Sequence, residues 1–190
     1  MKHLRDNKYE KILLVAAKSI SEKGVKGASL QAIADGVGLH KSTLFHYFKN
    51  KEELLLRILE KAIGEVNMNL EKIIGNHEIE PEEKLRRAVD NHLTLLIADL
   101  DNVKIYLNEL GNLSKRNQTI YFKKRKKYQG DFEKVIVEMK RKGYFKGLDS
   151  KIITFGVLGM LNWVTKWYKK DGPLTIKEVS DTFYRMMTQK

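Results

Sequence analysis

The chain has 190 residues, of which 42% are hydrophobic, and it carries a formal net charge of +12. It contains no cysteine, which excludes disulfide bonds, thiolate chemistry and cysteine-ligated zinc. The positive charge suggests a polyanionic partner such as nucleic acid, although a lysine-rich composition is equally consistent with an ordinary solvated surface.

The N-terminus and the apolar segments favour a cytoplasmic protein. Residues 1–10 are charged and lack the apolar region of a signal peptide. The most apolar stretch, Ile152 to Leu161, is too short to cross a bilayer and is soon followed by Lys166. We therefore expect a soluble protein in the cytoplasm, with no membrane partner.

Apolar residues recur with the period of amphipathic helices, and the sequence contains only two prolines. No well-spaced set of alternating Val, Ile and Thr residues indicates a sheet. The sequence therefore predicts an all-α fold of eight or nine helices. In chain order they span about residues 6–23, 30–37, 41–48 and 51–74, a helix beginning at Pro81, and then about 102–110, 117–143, 150–170 and 176–188.

Helix-terminating and capping residues support these boundaries. Gly24 ends the first helix, and Ser29 is a suitable N-cap for the second. An Asn-x-x-Glu arrangement beginning at Asn50 caps the fourth helix, and a Thr-x-x-Glu capping box beginning at Thr175 precedes the last. We expect two parts, a DNA-binding domain over residues 1–50 and a ligand-binding and dimerisation domain over residues 51–190.

Residues 30–49, LQAIADGVGLHKSTLFHYFK, have the pattern of a helix-turn-helix. Two closely crossing helices need a small residue at the crossing, here Ala34, and a turn residue that tolerates positive φ, here Gly38. The apolar positions that would lock the pair together are Ile33, Val37, Leu39, Leu44 and Tyr47. Seven positions in register favour this motif over a helical hairpin with a solvated polar face.

The outward face of the second helix in this motif carries short or flexible hydrogen-bond donors, and we call it the polar face: Lys41, Ser42, Thr43 and His46. Such side chains can reach base edges in the major groove or nearby phosphates. Lys49 and Lys51 lie just before and at the start of the next helix, where they suit phosphate contact. Double-stranded DNA is therefore the predicted partner.

The run from Gly27 to Leu54 closely resembles the DNA-binding domain of the TetR family of transcriptional regulators. The helix before it also matches, so the resemblance covers residues 6 to about 60. It implies that Ser29, Tyr47 and Lys51 contact phosphates and that the polar face lies against the groove.

Two positions depart from the usual pattern of this family. His40 stands where a Ser or Thr usually caps the helix, which predicts either a weaker cap or an additional phosphate contact. Phe45 stands where Tyr is common and removes a hydroxyl. His40 is included in the predicted DNA-contacting set.

Four C-terminal segments are similar to one group of this family, the regulators of fatty-acid and steroid breakdown that respond to acyl-CoA thioesters. They are Asn108–Leu110, Arg125 to Tyr128, Lys142 to Phe145 and Leu158 to Leu174. The resemblance implies a repressor that releases its operator when an acyl-CoA binds. The predicted effector-binding residues are Leu93, Tyr106, Asn108, Glu109, Arg125, Tyr128, Phe155, Asn162 and Trp163.

An acyl-CoA needs an apolar tunnel for its chain and cations for its phosphates. Residues 123–127, KKRKK, offer those cations, and a solvated helix face is the alternative. The aromatic residues Trp163, Trp167 and Tyr168 suit either a pocket or ordinary core or dimer packing. His92 lies on an apolar helix face and fits a satisfied core histidine better than a ligand contact.

Other functions compete with this interpretation. A hydrophobic or cationic drug-like effector, with Glu109 as its acidic partner, would indicate a regulator of efflux. A closed C-terminal core would indicate an architectural DNA-binding protein without an effector. An enzyme is disfavoured because the sequence lacks a Ser/His/Asp signature, an H-E-x-x-H motif, a Gly-rich phosphate loop and clustered metal ligands. We expect no catalytic residue, cofactor or metal.

The helices predicted at 117–143 and 150–170 are candidates for a homodimer interface, as half of a four-helix bundle. Gly156 and Gly159 would allow close helix approach. In such a dimer the two recognition helices must lie about 34–36 Å apart to meet successive major grooves. We expect an effector to act by changing this separation.

Overall fold

The computed structural model describes the backbone of residues 2–189 and the side chains of residues 7–189. Over that range it is all-α, as the sequence predicts, with nine α-helices, one short 3-10 turn and no strand. The helices are α1 (Lys2–Gly27), α2 (Leu30–Gly36), α3 (Lys41–Leu44), α4 (Lys51–Gly75), α5 (Pro81–Ala98), α6 (Leu100–Glu109), α7 (Lys115–Arg141), α8 (Ser150–Trp167) and α9 (Ile176–Thr188).

The chain forms two compact units. Unit 1 comprises Met1–Ile63 and Asp101–Lys123, and unit 2 comprises Gly64–Leu100 and Lys124–Lys190. Helices α4 and α7 therefore contribute residues to both units. No helix in the described part of the chain is both long and apolar enough to cross a membrane.

The core of unit 1 is built from the apolar stripes of α1, α2, α3 and the first half of α4. Residues from α6 and α7 also enter it, because Ile105 and Tyr121 are buried in the same cluster. Their burial makes residues 101–123 part of the fold that supports α1 to α3. The fully or nearly fully buried members include Ile12, Ala16, Ile20, Ile33, Leu44, Leu54, Leu55, Ile58 and Leu59.

The first helix is longer than predicted at both ends. It begins at Lys2 rather than Asp6, and its regular part is interrupted at the predicted position, where Gly24 adopts φ 69° and ψ 164°. One further turn follows, closed by a 3.0 Å hydrogen bond from the Ala28 N–H to the Gly24 carbonyl. A positive φ is inexpensive for glycine, so Gly24 bends the chain without ending it.

The third helix is shorter than the predicted span of 41–48, and that prediction is wrong for its second half. After Leu44 the chain continues as a tight turn, with His46 and Tyr47 donating to carbonyls three residues earlier. The cause is tertiary packing. The buried ring of Phe48 stacks on Tyr9 of α1 at a centroid distance of 5.3 Å, and α4 begins only three residues later.

In unit 2, α5 packs against both α8 and α9. Buried apolar residues of α5, α7 and α8 form its core, among them Leu85, Val89, Leu93, Phe132, Ile136, Val157 and Leu161. The ammonium of Lys84, almost fully buried, pairs with Glu138 at 3.0 Å. The predicted capping box before α9 is confirmed: the Glu178 N–H donates to Thr175 Oγ1, and the Thr175 N–H donates to Glu178 Oε2.

Candidate functional site

The capping, crossing and turn residues of the helix-turn-helix have the backbone that the sequence predicts, although its second helix ends at Leu44. Ser29 caps α2 by accepting a hydrogen bond from the Ala32 N–H at 3.4 Å. Ala34 is fully buried at the helix crossing, and its carbonyl accepts the Leu39 N–H at 2.9 Å. Gly38 adopts φ 70°, the conformation the turn requires. These contacts fix α3 relative to α2.

The structure gathers most of the predicted DNA-contacting residues on the surface around α3. Exposed side chains are those of Ser29, His40, Lys41, Ser42, His46 and Lys49, whereas Thr43, Tyr47 and Lys51 are half-buried. His40 occupies the N-cap of α3 but its side chain forms no capping hydrogen bond. The first turn of α3 therefore carries backbone N–H groups without a side-chain cap, close to four exposed polar residues.

Hydrogen bonds at the start of α4 hold the segment that follows α3. Asn50 Oδ1 accepts the Glu53 N–H, and Glu53 Oε2 accepts the Lys49 N–H, both at 2.8 Å. The Lys51 ammonium donates to the Lys26 carbonyl at 3.0 Å, which ties α4 to the end of α1. An ammonium has three donors, so this contact leaves Lys51 able to bind an anion as well.

Three of the predicted effector-binding residues lie in unit 1. Glu109 Oε2 accepts hydrogen bonds from the Val25 N–H at 3.0 Å and from the Asn112 side chain at 2.8 Å. Its carboxylate therefore rests against the bend of α1 at Gly24. Tyr106 is half-buried and its ring lies 5.8 Å from that of Tyr121, whereas Asn108 is exposed.

A second carboxylate joins two elements inside unit 1. Glu52 of α4 accepts hydrogen bonds from the Ser114 N–H at 2.8 Å and from the Asn117 side chain at 2.6 Å. The hydrogen bonds from Ser114 and Asn117 hold the pKa of Glu52 below its usual value. These contacts and the 2.7 Å hydrogen bond from the Ser21 hydroxyl to Asp101 link residues 101–117 to α1 and α4.

Unit 2 contains the other predicted effector-binding residues, and two of them are buried beside a histidine. Leu93 and Tyr128 are buried, and the Tyr128 hydroxyl lies 2.9 Å from His92 Nδ1. Burial lowers the pKa of His92 to about 4, and hydrogen bonding from the side chain of Asn162 partly opposes this shift. Burial also raises the pKa of the Tyr128 hydroxyl. Both groups are neutral at physiological pH.

The sequence predicts that His92 is a core histidine with satisfied hydrogen bonds. The ring is buried and its Nδ1 has a partner, as predicted. Among the described residues, no group forms a hydrogen bond with His92 Nε2. The signal in the sequence is a lone histidine on an apolar helix face. Its partner Tyr128 lies 36 residues away and cannot be read from local periodicity.

The remaining predicted effector-binding residues are less enclosed. Phe155 and Trp163 of α8 keep 49% and 63% of their exposure, and Arg125 is half-buried. Asn162 donates to the Leu158 carbonyl of its own helix at 2.7 Å. The structure thus divides the predicted set between a buried group in unit 2, an exposed group on α8 and three residues in unit 1.

Within residues 123–127, which we call the basic run, the cations differ in their surroundings. Lys127 forms ion pairs with Asp131 and Glu71, which raise the pKa of its ammonium. Lys123 and Lys126 are exposed, whereas Lys124 and Arg125 are half-buried. Lys127 is therefore engaged within the chain, and the exposed members are better placed for an external anion.

Two further features bear on ligands. A surface groove of about 330 Å³ follows α7 and contains none of the predicted effector-binding residues: its lining is Gly130, Glu133, Lys134, Val137, Glu138 and Arg141. Over residues 7–189, no group of three or more His, Asp or Glu side chains is arranged to hold a metal ion.

Comparison with known proteins agrees with this architecture. The chain is 25% identical over 182 residues to the HTH-type transcriptional repressor KstR2 of Mycobacterium tuberculosis, covering 90% of this chain and 86% of that protein. It is 24% identical over 187 residues to the fatty acid metabolism regulator protein of Bacillus subtilis, covering 95% of this chain and 93% of that protein.

Solved structures are similar over nearly the whole chain. The crystal structure of AibR in complex with isovaleryl coenzyme A and operator DNA has a TM-score of 0.83 and 28% identity, covering 95% of this chain and 97% of that one. The TetR family transcriptional regulator PfmR of Thermus thermophilus has a TM-score of 0.82 and 29% identity, covering 93% and 96%.

Two family models match the sequence. Residues 12–58 match that of the bacterial regulatory proteins of the tetR family, and residues 78–190 match that of the tetracyclin repressor-like C-terminal domain. The second match alone covers more than half of the sequence. The chain belongs to the TetR family of bacterial transcriptional regulators.

Proposed function

We propose that this protein is a homodimeric repressor that binds double-stranded operator DNA through residues 1–50 and is released from it by an acyl-CoA thioester bound within residues 51–190. Repression of transcription takes place in the cytoplasm and requires neither catalysis nor a cofactor. The acyl-CoA is an effector whose binding free energy shifts the protein between DNA-binding and released states.

The observation that carries the DNA-binding half is the exposed polar face beside a helix-turn-helix backbone. Lys41, Ser42 and His46 are exposed on and just after α3, with Lys49 close behind. Donors of these types read base edges and bind phosphates, and the uncapped N-terminus of α3 supplies further N–H groups. The net charge of +12 adds a general attraction to DNA.

The dimer is supported by an exposed apolar stripe on α8. Ile152, Phe155 and Trp163 share one face with Gly156 and Gly159, and Ile152 keeps 72% of its exposure. A contiguous apolar stripe of this kind marks an interaction surface, and the glycines allow a second helix to approach closely. We propose that α8, together with α7, packs against the same two helices of a second copy of the chain.

The effector assignment is supported by likeness to AibR, whose structure contains isovaleryl coenzyme A and operator DNA. Unit 2 offers the corresponding chemistry: an apolar interior around Leu93, and an exposed cation at Lys126 for a phosphate. The competing cationic effector would need a free acidic partner, and the Glu109 carboxylate already accepts two hydrogen bonds within unit 1. This observation favours the thioester.

The test is fluorescence anisotropy of the full-length protein on DNA from upstream of its own gene and on scrambled DNA. We expect selective binding that isovaleryl-CoA or a longer acyl-CoA reverses at micromolar concentration, with free CoA inert. Selective binding that no acyl-CoA reverses would overturn the effector assignment. Equal binding to both DNAs, with no operator recovered in a genome-wide selection, would overturn the regulator itself.

Matched variants assign the two surfaces. Lys41→Ala should weaken operator binding by about tenfold or more, because it removes a donor from the polar face, whereas Lys170→Ala in the turn after α8 should change it less than about twofold.

Trp163→Glu should shift sedimentation from dimer to monomer, and Lys170→Glu should leave the dimer intact. A monomeric wild-type protein would contradict the proposed interface.

A further inference from the structure

Three helices of unit 2 converge on one buried histidine. His92 of α5 retains 8% of its exposure and contacts Tyr128 of α7 through Nδ1. Asn162 of α8 lies close enough to influence the pKa of His92, and its own amide nitrogen is engaged by the Leu158 carbonyl. On the same helix, Val89 and Leu93 are fully buried as well.

The hydrogen bond with Tyr128 fixes which nitrogen of His92 carries the proton. Among the described residues, the Tyr128 hydroxyl has one hydrogen-bond partner, His92 Nδ1. A buried O–H must donate, because an unsatisfied buried donor is costly. Tyr128 therefore donates to Nδ1, which must be an unprotonated acceptor, and the proton of the neutral imidazole resides on Nε2.

The resulting Nε2–H is a neutral, buried donor that forms no well-aligned hydrogen bond with any described side chain or backbone group, although the Asn162 side chain lies nearby. Such a donor is complementary to a carbonyl oxygen, which supplies the acceptor without adding a buried charge. It repels an ammonium or another cationic head group, which brings no acceptor. The site thus distinguishes the chemical classes of effector that the sequence left open.

We propose that His92 Nε2–H donates a hydrogen bond to the carbonyl oxygen of the effector, which in the proposed function is the thioester carbonyl of the acyl-CoA. Tyr128 acts as a positioning residue that holds His92 in the donating tautomer. This inference rests on the proposed function and adds the group that recognises the acyl carbonyl. The basic run and the apolar interior would then bind the two flanks of that carbonyl.

The experiment compares two ligands that differ in that carbonyl alone: isovaleryl-CoA and the thioether analogue of the same length, in which a CH₂ replaces the C=O. Affinities are measured by calorimetry on the full-length dimer. Wild-type protein should bind the thioester about tenfold more tightly than the thioether, the factor expected for one buried hydrogen bond. His92→Phe should bind both within about twofold of each other. His77→Phe, at an exposed position between α4 and α5, should keep the wild-type ratio.

Two additional measurements keep the test independent of how well His92→Phe folds. Tyr128→Phe should lower the ratio by releasing Nδ1. In ligand-free wild-type protein, the ¹⁵N spectrum of labelled histidine should show His92 protonated at Nε2, with its proton resonance moving downfield when the thioester binds.

The outcomes separate this inference from the function on which it rests. Equal wild-type affinity for thioester and thioether, or a His92 protonated at Nδ1, would overturn the role of His92 and leave the acyl-CoA repressor standing. If neither ligand binds and longer acyl-CoA thioesters also fail, the proposed effector and the role of His92 are both overturned.

Discussion

The polar face of α3 in unit 1 and the pair of His92 and Tyr128 in unit 2 lie in opposite environments. In unit 1 the polar face of α3 is mostly exposed, and Lys41, Ser42 and His46 are open to solvent. In unit 2 His92 and Tyr128 are buried, neutral and paired with each other. A surface that binds a polyanion can stay solvated and charged. A buried site for a largely apolar molecule needs neutral polar groups, because an unpaired buried charge is costly. The polar face of unit 1 is therefore suited to a charged partner, and the buried pair of unit 2 to a neutral polar group.

The largest expected effect tests whether the polar face of α3 depends on the packing of a buried side chain of the same helix. Leu44 lies on α3 between the exposed residues and keeps 2% of its exposure. Leu44→Ala should lower the free energy of unfolding by about 2–5 kcal/mol, because it leaves a cavity where α3 packs in unit 1. Its neighbour Phe45 keeps 46% of its exposure, and Phe45→Ala should cost less than about 1 kcal/mol. Urea unfolding at fixed protein concentration measures both.

Operator binding by the same two variants shows how the face is held. We expect Leu44→Ala to lose selectivity for the operator even where the protein is mostly folded, because α3 loses its anchor. Unchanged operator affinity in folded Leu44→Ala protein would mean that the polar face does not need this contact.

The second expected effect is a pH dependence that originates in unit 2. The unfolded chain protonates His92 near pH 6.5, whereas the folded chain resists protonation until about pH 4 because the ring is buried. The unfolded state thus binds more protons in this window, so stability falls as the pH decreases from 6.5 to 4, by at most about 3 kcal/mol. Above pH 6.5 this contribution is constant.

His92→Phe should remove that contribution, so the variant should gain stability relative to wild type on acidification. The measurement is the difference in unfolding free energy between the two proteins at about pH 7.5 and about pH 4, on either side of the window. The control is His77→Phe, which removes a histidine from the exposed linker. A constant difference between wild type and His92→Phe would show that His92 is not enclosed as the structure has it.

The same contrast explains what could be predicted from the sequence. The helix-turn-helix was found because its crossing residue, its turn glycine and its apolar contacts all lie within residues 30–49. Local periodicity and turn chemistry therefore suffice to specify it. The end of α3 shows the limit of local reasoning. The sequence predicts a helix that continues to residue 48, whereas α3 ends at Leu44, because the ring of Phe48 packs on Tyr9, far away in the sequence.

The arrangement of the predicted effector-binding residues could not be derived by local reasoning, for a physical reason. The pair His92 and Tyr128 spans 36 residues, and the contact of Glu109 with Val25 spans 84. Which carboxylate contacts which N–H group depends on the way in which the long helices pack against one another. Periodicity indicates only the buried face of each helix. Family resemblance indicated the kind of effector, but it did not reveal that Glu109 binds the bend of α1.

A third prediction compares two glycines, one from each unit. Gly38 adopts φ 70° in the motif turn, and an added Cβ would meet nothing within 4 Å. Gly38→Ala should therefore destabilise by about 1–2 kcal/mol through backbone strain alone. Gly64 lies within α4, also with open space around an added Cβ, and Gly64→Ala should stabilise by up to about 1 kcal/mol. Thermal unfolding should show shifts of opposite sign, and a shared sign would contradict the assigned turn conformation.

The smallest expected effect concerns His40, where a serine would favour the stability of α3 and the histidine would favour DNA binding. The side chain of His40 does not cap α3, so the first-turn N–H groups lack that partner. His40→Ser should supply a cap and raise the unfolding free energy by about 0.5–1 kcal/mol relative to His40→Ala, measured by urea unfolding. If His40 contacts phosphate in the complex, both variants should weaken operator binding equally while differing in stability. Operator affinity that instead follows stability across the three proteins would assign His40 to the fold of α3 and remove it from the DNA-contacting set.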